Sequence, residues 1–406
     1  MIINQSLEKR MWDAVVVGAR CAGASTALLL ARQGHRVLLV DRATFPSDTM
    51  STLYIHQPGV AMLERWGVLD AVVASGCPPL KTVDYQVEDV LLHSPMATTG
   101  KIDAAYAPRR QILDHILIEA AIEAGAEFAS GCSLSEILFE EGRAIGVRLR
   151  TKNGGEITER ARLVVGADGM RSRTAELIGA PTVTEDPRMT CIYYSGWTGI
   201  SAGFGMRERH GSWIATVPTH DGVTLILTYF PQRSFAAIKS EPLDAHRESI
   251  RAGAPDLFDQ MSSGEHVVKL HGTGDQQNFF RKAHGPGWVL VGDAGHHLDS
   301  ITARGITNAF TQAEILSEEI GGDMADAQRL DAALKRFTDR RDMVLMEGYR
   351  STLETAKLRV QDSRLKMLRA ISEVPELTSR YFALHAGIIS MDELLTPELI
   401  ELLYAR

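Results

Sequence analysis

Gly18, Arg20, Cys21, Ala22 and Gly23 fall in a short turn between an apolar run, Ala14-Val15-Val16-Val17, and a stretch of good helix formers from Ala24 to Gln33. A helix starting at such a turn presents unpaired backbone N–H groups and the positive end of its dipole, and together these hold a phosphate-type anion. Asp41 closes the next apolar run, Arg36 to Val40, about 20 residues past the turn, where a carboxylate can accept from ribose hydroxyls. Strand, tight turn, helix, strand and acid are the layout of a dinucleotide-binding βαβ unit, written here as Gly18-x-Arg20-x-x-Gly23. Arg20 stands where the middle glycine would let backbone approach a pyrophosphate. Two readings stay open for it: the side chain turns outward, or the guanidinium covers the pyrophosphate as an extra cation.

Two more acids end buried apolar runs. Asp168 lies in Gly166-Ala167-Asp168-Gly169, and Asp293 in Gly292-Asp293-Ala294. Ligands of open α/β sheets bind outside the carboxyl ends of the strands, so both are candidate binding residues. Arg110 sits near the start of a helix, where a cation opposes the helix dipole and so calls for an anionic partner. After Arg42 a loop carries Ser51, Tyr54, His56 and Gln57, candidates for lining a site because loops carry function disproportionately. Cys21 is read as a small residue suited to a tight turn, although a thiol before a helix can also be acidic.

Composition narrows the classes. With 45% hydrophobic and 23% charged residues over 406 positions, the chain can build two or three lobes around sizeable cores. A net charge of −8 without any Lys/Arg block excludes a polyanion as partner, so no nucleic acid is expected. Four scattered cysteines make neither a disulfide framework nor a metal site, which fits a reducing, cytoplasmic setting. No apolar run is long enough to span a bilayer.

The elements follow from periodicity. Helices are expected over Val60 to Trp66, after Arg110 (apolar face Ile112, Ile116, Leu117, Ala120, Ala121), as one stretch from Leu243 to Met261, and over Gly305 to Ile320. Glu127 to Leu134 reads as a single strand, and Lys152-Asn153-Gly154-Gly155 as a hairpin turn. From Pro187 onward, aromatic-rich strands are expected at Cys191 to Trp197, Gly203 to Met206, Ser212 to Val217 and Val223 to Phe230, the last two joined at His220-Asp221-Gly222. They offer Tyr193, Trp197, Phe204, Trp213, Tyr229 and Phe230 as pocket walls.

The ordered trio Gly18-x-Arg20-x-x-Gly23, Gly166-Ala167-Asp168-Gly169 and Gly292-Asp293-Ala294 resembles the FAD-dependent monooxygenases of the aromatic-hydroxylase type, with the p-hydroxybenzoate hydroxylase fold, over about residues 11–320. Geranylgeranyl reductases and flavin-dependent halogenases use the same scaffold. The resemblance implies an α/β architecture: a Rossmann-like FAD-binding domain, an inserted antiparallel-sheet substrate domain and C-terminal helices. It assigns 11–80, 107–183 and 271–330 to the first, 81–106 and 184–270 to the second and 331–406 to the third, a segment that adds little to the resemblance. It also implies that Asp41 holds the adenosine ribose with Arg42 against the adenine, and that Arg110 reaches the flavin nucleotide. The Leu134 backbone would meet adenine, Asp293 the ribityl chain, and Gly305 and Ile306 would open the helix facing the flavin pyrimidine ring. The sequence departs from the family at Ser300, usually Pro, at Thr302, near a usual Gly, and at Thr307, near a usual Asn.

The reaction implied is NAD(P)H-driven oxygenation by O2 of a small organic substrate through a flavin C4a-hydroperoxide, with His56, Tyr193 and Trp213 as the catalytic candidates and a separate flavin reductase as an alternative electron source. A halogenase fits less well. Trp213-Ile214-Ala215-Thr216-Val217-Pro218 has Ala215 where W-x-W-x-I-P has its central Trp, and no lysine occurs between Arg42 and Leu80. The reductase pattern Y-x-W-x-F-P-K-G also lacks its central Trp and its Lys here. A flavin-binding protein with a non-redox role is the remaining alternative.

Overall fold

A computed structural model describes residues 11–322 and 324–404. Its first sheet has a parallel core ordered Trp288–Leu290, Glu156–Gly166, Trp12–Val17, Val37–Asp41 and Glu127–Ser130. Runs without polar alternation, such as Ala14-Val15-Val16-Val17, form these strands because both faces are covered, and Val15, Val16, Leu39, Val164 and Val165 are all fully buried. The register aligns Val17 with Val40 and with Gly166, and Gly166 with Leu290. All three glycine–acid motifs therefore leave the sheet along one carboxyl edge. Helices Cys21–Arg32, Arg110–Glu123 and Gly305–Ile320 share a core with this sheet, where Trp66 packs edge-on against Phe310 at 5.3 Å. Burying each large apolar side chain of this kind contributes about 1.5–3 kcal/mol.

The second sheet has seven strands in the order Glu265–Thr273, Thr190–Thr198, Thr224–Pro231, Ser212–Pro218, Gly205–Arg209, Thr82–Val87 and Val90–Pro95. Asp221 and Gly222, at φ 61° and 66°, give the turn after Pro218 the left-handed backbone that a tight hairpin demands. One face packs on two helices: Trp197, Ile214 and Ile226 meet Ile250, Leu257 and Met261. The other face packs on Ile301 and on the C-terminal helices Ala327–Ala356, Asp362–Ser372 and Pro375–Ala386.

Two expected elements are divided. The stretch Leu243 to Met261 is two helices, Pro242–Gly253 and Pro255–Ser263, because Pro255 forces Ala254 out of the helical region to φ −150°. Glu127 to Leu134 is likewise two strands, Glu127–Ser130 and the start of Cys132–Glu140, broken where Gly131 takes φ +71°.

Candidate active site

Glycine at two positions lets the first turn close. A Cβ on Gly18 would lie 2.4 Å from the Ala167 carbonyl oxygen, and one on Gly23 would lie 1.7 Å from the Gly18 oxygen. Helix Cys21–Arg32 is thereby pressed onto the strand ends, and no side chain caps its N-terminus. Asp41 fastens the same turn. Its Oδ2 accepts from the Ala19 N–H at 2.8 Å and its Oδ1 from the Ala43 N–H at 2.7 Å, leaving lone pairs on a carboxylate at the cleft.

The cleft along this edge has a volume of about 890 Å3, and every cofactor candidate read from the sequence lines it except Gly23, which is buried behind Gly18. Leu134 and Cys132 form one wall, beside a bulge between Leu134 and Glu136. Gly305 opens helix Gly305–Ile320 at the other end; this helix has no side-chain cap and no acid in its first turn, and nothing lies within 4 Å of where a Gly305 Cβ would stand. Two helix N-termini thus face one elongated cleft, a setting for a ligand with a pyrophosphate and a second, electron-rich end. These features fit FAD.

The acids divide in their duties. Asp168 is turned to the protein: Oδ1 accepts from Ser172 Oγ at 2.5 Å, and Oδ2 from the Thr174 N–H at 2.9 Å and Thr174 Oγ1 at 3.1 Å. It pins the loop leading into Arg173–Leu177. Asp293 sits half-exposed in a turn held from behind by two arginines: Arg281 Nη1 donates to Ala294 O at 2.8 Å, and the fully buried Arg341 donates from Nη2 to Arg281 O at 3.1 Å. We expect Asp293→Ala to leave folding intact but raise the FAD dissociation constant at least tenfold, the scale of one lost hydrogen bond to a charged group. Fluorescence titration of apoprotein with FAD checks this.

Arg20 and Arg110 converge on a carboxylate that sequence reasoning did not single out as a site residue. Asp114 is wholly buried; its Oδ2 accepts from Arg20 Nη1 at 2.9 Å, and its Oδ1 from Arg110 Nη2 at 3.1 Å and from the Cys21 thiol at 3.3 Å. The signal was present as the i, i+4 spacing of Arg110 and Asp114. The anionic partner called for by Arg110 at a helix start is thus, in the first place, its own helix-mate. Arg20 continues outward to Ser47 and Asp48 carbonyls at 3.3 and 3.1 Å and lies over the Phe45 ring. That geometry favours the outward reading. Burial pushes the Cys21 thiol well up, so it is an inert, hydrogen-bonded thiol.

A second cavity adjoins the cleft, with Thr52, Ser300 and Ala303 lining both. It is apolar and compact, with about 100 Å3 of free space between the seven-stranded sheet and the C-terminal helices. Tyr54 stacks on Phe204 at 4.3 Å, and Trp213 tilts against Tyr85 at 5.4 Å. Alternation along the strands decides which aromatics reach it. Phe204, Trp213 and Tyr229 do, but Tyr193 does not. Ile192 and Tyr194 face the cleft, so Tyr193 lies on the opposite face against Phe230 and Gly272. The expectation of a catalytic Tyr193 is corrected on that ground, and Trp197 and Phe230 are likewise not pocket walls. The C-terminal segment, beyond the reach of the three motifs, contributes too: Ser351, Thr355, Phe382 and His385 form part of the wall.

Ser300, at the junction, is held from both sides. Its hydroxyl donates to Gln276 Oε1 at 2.5 Å, and the Tyr229 hydroxyl donates to the Ser300 carbonyl at 3.0 Å. Buried Asp299 next to it accepts from Thr190 and from the Ile301 N–H. Side-chain hydrogen bonds fix this loop. Thr307 accepts from the His56 N–H at 3.2 Å, and its hydroxyl would lie 2.8 Å from a Cβ at Gly59, so helix Gln57–Arg65 is seated on it.

His56 reaches the cavity with Nε2 donating to the Thr302 carbonyl at 3.0 Å, which leaves Nδ1 a bare acceptor. Burial and then the neighbouring Arg304 cation hold it down to about 3. His385 donates from Nδ1 to Tyr381 O at 2.9 Å, and burial lowers it to about 4. Both imidazoles are neutral in the fold, whereas in the unfolded chain they titrate near 6.5. The unfolded state then binds more protons below that pH, so their stabilisation is present above about 6.5 and is lost as pH falls towards 4. Each contributes a slope of up to about 1.4 kcal/mol per pH unit. Thermal midpoints should drop on acidification from pH 6.5 to 4, and a His385→Gln variant should drop less steeply.

Among the described residues there is no cluster suited to a metal ion and no helix long and apolar enough to cross a membrane. Residues 11–346 match the FAD binding domain family. Of individual proteins, the chain is similar to the digeranylgeranylglycerophospholipid reductase of Methanocella arvoryzae, 25% identical over 81% of this chain and 82% of the reductase. In structure it resembles the flavin-dependent brominase Bmp2, with a TM-score of 0.81 at 16% identity over 97% of this chain and 98% of the other. It also resembles PqsL, a probable FAD-dependent monooxygenase from Pseudomonas aeruginosa, with a TM-score of 0.70 at 17% identity over 92% and 99%. The cleft and these likenesses agree: the chain belongs to the FAD binding domain family and is an FAD-dependent oxidoreductase.

Proposed function

We propose that the chain is a NAD(P)H-driven monooxygenase that hydroxylates or epoxidises a small, largely apolar, ring-containing molecule with O2. One observation carries the reading: a compact aromatic cavity meets the cofactor cleft at Thr52, Ser300 and Ala303, just ahead of the N-terminus of helix Gly305–Ile320. FAD, when bound, supplies the redox and oxygen chemistry. The chain supplies the surroundings. The sheet and C-terminal helices keep water from the reacting centre, and the first N–H groups of helix Gly305–Ile320 favour negative charge beside it. Tyr229 and Gln276 hold the Ser300 loop in place, and the neutral His56 offers an acceptor for a substrate hydroxyl. Four unpaired, buried cysteines are in keeping with a reducing cytoplasm.

Ala215 bears directly on this. It lines the cavity where the halogenase and reductase patterns carry a tryptophan, and its small side chain helps leave the space open. In Ala215→Trp the indole would occupy the free volume. We expect FAD stoichiometry and dithionite reduction to be unchanged while substrate-stimulated NAD(P)H oxidation and O2 uptake fall at least tenfold. Unaltered turnover in the plugged variant would sink the proposal that this cavity holds substrate.

A second reading, reduction of an isoprenoid double bond, is favoured by the similarity to the archaeal reductase over most of both chains. The small cavity and the missing Trp and Lys of the reductase hairpin weigh against it. The two readings separate on oxygen: turnover with equimolar O2 uptake supports the monooxygenase, and product formation under argon supports the reductase.

A further inference from the structure

We propose that Arg304 is a positioning residue that couples occupancy of the cofactor cleft to closure of the C-terminal wall of the substrate cavity. Arg304 is the residue immediately before helix Gly305–Ile320, whose N-terminus faces the cleft. Its guanidinium, however, belongs to the other end of the chain. Nη2 donates to the His385 carbonyl at 2.8 Å, in the last turn of helix Pro375–Ala386, where a cation also offsets the negative end of the helix dipole.

The C-terminal segment is built to admit this side chain. A Cβ at Gly348 would lie 3.4 Å from Arg304 Cδ, and one at Gly387 would lie 3.1 Å from Nη1. The hold is nonetheless incomplete: Nε is buried and has no partner among the described residues. Such a contact can be undone at modest cost, unlike the neighbouring ion pair in which Arg364 grips the buried Glu208 carboxylate at 2.8 Å. Helix Pro375–Ala386 gives Phe382, His385 and Ala386 to the wall of the cavity, and Arg304 itself lines it. A ligand that fixes the start of helix Gly305–Ile320 therefore fixes the stem of Arg304, and through it the end of the wall helix. Linkage requires the converse: loosening the wall at Arg304 weakens the ligand.

The inference rests on FAD as the occupant of the cleft and is independent of which reaction follows. Hydrogen exchange over 375–387 with and without FAD tests it, with 362–372, anchored by Arg364, as the internal control. In the native chain FAD should slow exchange over 375–387 about tenfold and leave 362–372 little changed. In Arg304→Met that FAD-dependent slowing should fall below about twofold, and Arg304→Lys, which can still donate to the carbonyl, should restore part of it. Gly387→Ala lies outside both cavities and crowds Nη1; it should weaken FAD binding about fivefold or more. A purely structural Arg304 would raise exchange equally with and without FAD and preserve the difference. Preservation of the native FAD effect in Arg304→Met, no FAD effect in the native chain, or native FAD affinity in Gly387→Ala overturns the proposal.

Discussion

Gly23→Ala is expected to abolish stable FAD binding and to destabilise the chain by about 3 kcal/mol or more. The added methyl would stand 1.7 Å from the Gly18 carbonyl oxygen, 2.8 Å from its carbon and 3.1 Å from the Ala167 Cβ. Two of these neighbours are backbone, so no rotamer change relieves the clash. The helix cannot retreat either, because Ala24, Ala27 and Leu28 behind it are completely buried. Overpacking of flexible cores costs about 1–3 kcal/mol, and a rigid backbone neighbour places this case at the top of that range or beyond. Whatever movement does occur displaces the helix N-terminus from the place where the pyrophosphate is to be held. Thermal unfolding with and without added FAD reads both effects: the native chain gains stability from FAD and the variant gains none. Stoichiometric FAD in Gly23→Ala with a native midpoint would show that the helix is not pressed onto the strand ends in this way.

Asp114→Ala has an expected cost of about 3–5 kcal/mol, that of leaving a buried cation without its counter-ion. Arg110 has little exposure (12% for its side chain) and loses its ion-pair partner; Arg20, at 28%, can turn to water and contributes less. The same change frees Arg110, which lines the cleft, so FAD affinity should fall alongside stability. A cycle separates the causes. Arg110→Met combined with Asp114→Ala should cost clearly less stability than the two single changes summed, because both groups of one buried pair are then gone. Additive urea midpoints would mean that the pair is not coupled.

Particular residues explain how far the sequence could be read. The motifs at Gly18, Asp168 and Asp293 were legible because each directly follows a strand buried on both faces, and parallel register brings such strand ends to one edge regardless of their separation in the chain. Asp114 could not be placed from the sequence, since nothing in a linear spacing tells which buried charge a distant Arg20 will choose. Tyr193 and Trp213 are equally aromatic; only the register of their strands, Tyr193 opposite Thr228 and Trp213 opposite Tyr229, decides that one faces helices and the other the cavity. His385 and Phe382 sit on a helix with no motif. Their place in the wall depends on tertiary contacts such as Arg304 with His385 and Arg364 with Glu208, which join segments far apart in the chain.

The most direct test of the monooxygenase reading follows the oxygen atom. The FAD-loaded protein is incubated with NAD(P)H, a panel of small ring-containing apolar compounds and 18O2, and any product is weighed by mass spectrometry. The expected product carries one 18O atom, is formed by the native chain and is lost in Ala215→Trp. A product that has gained only two hydrogens, formed equally well without oxygen, would contradict that reading.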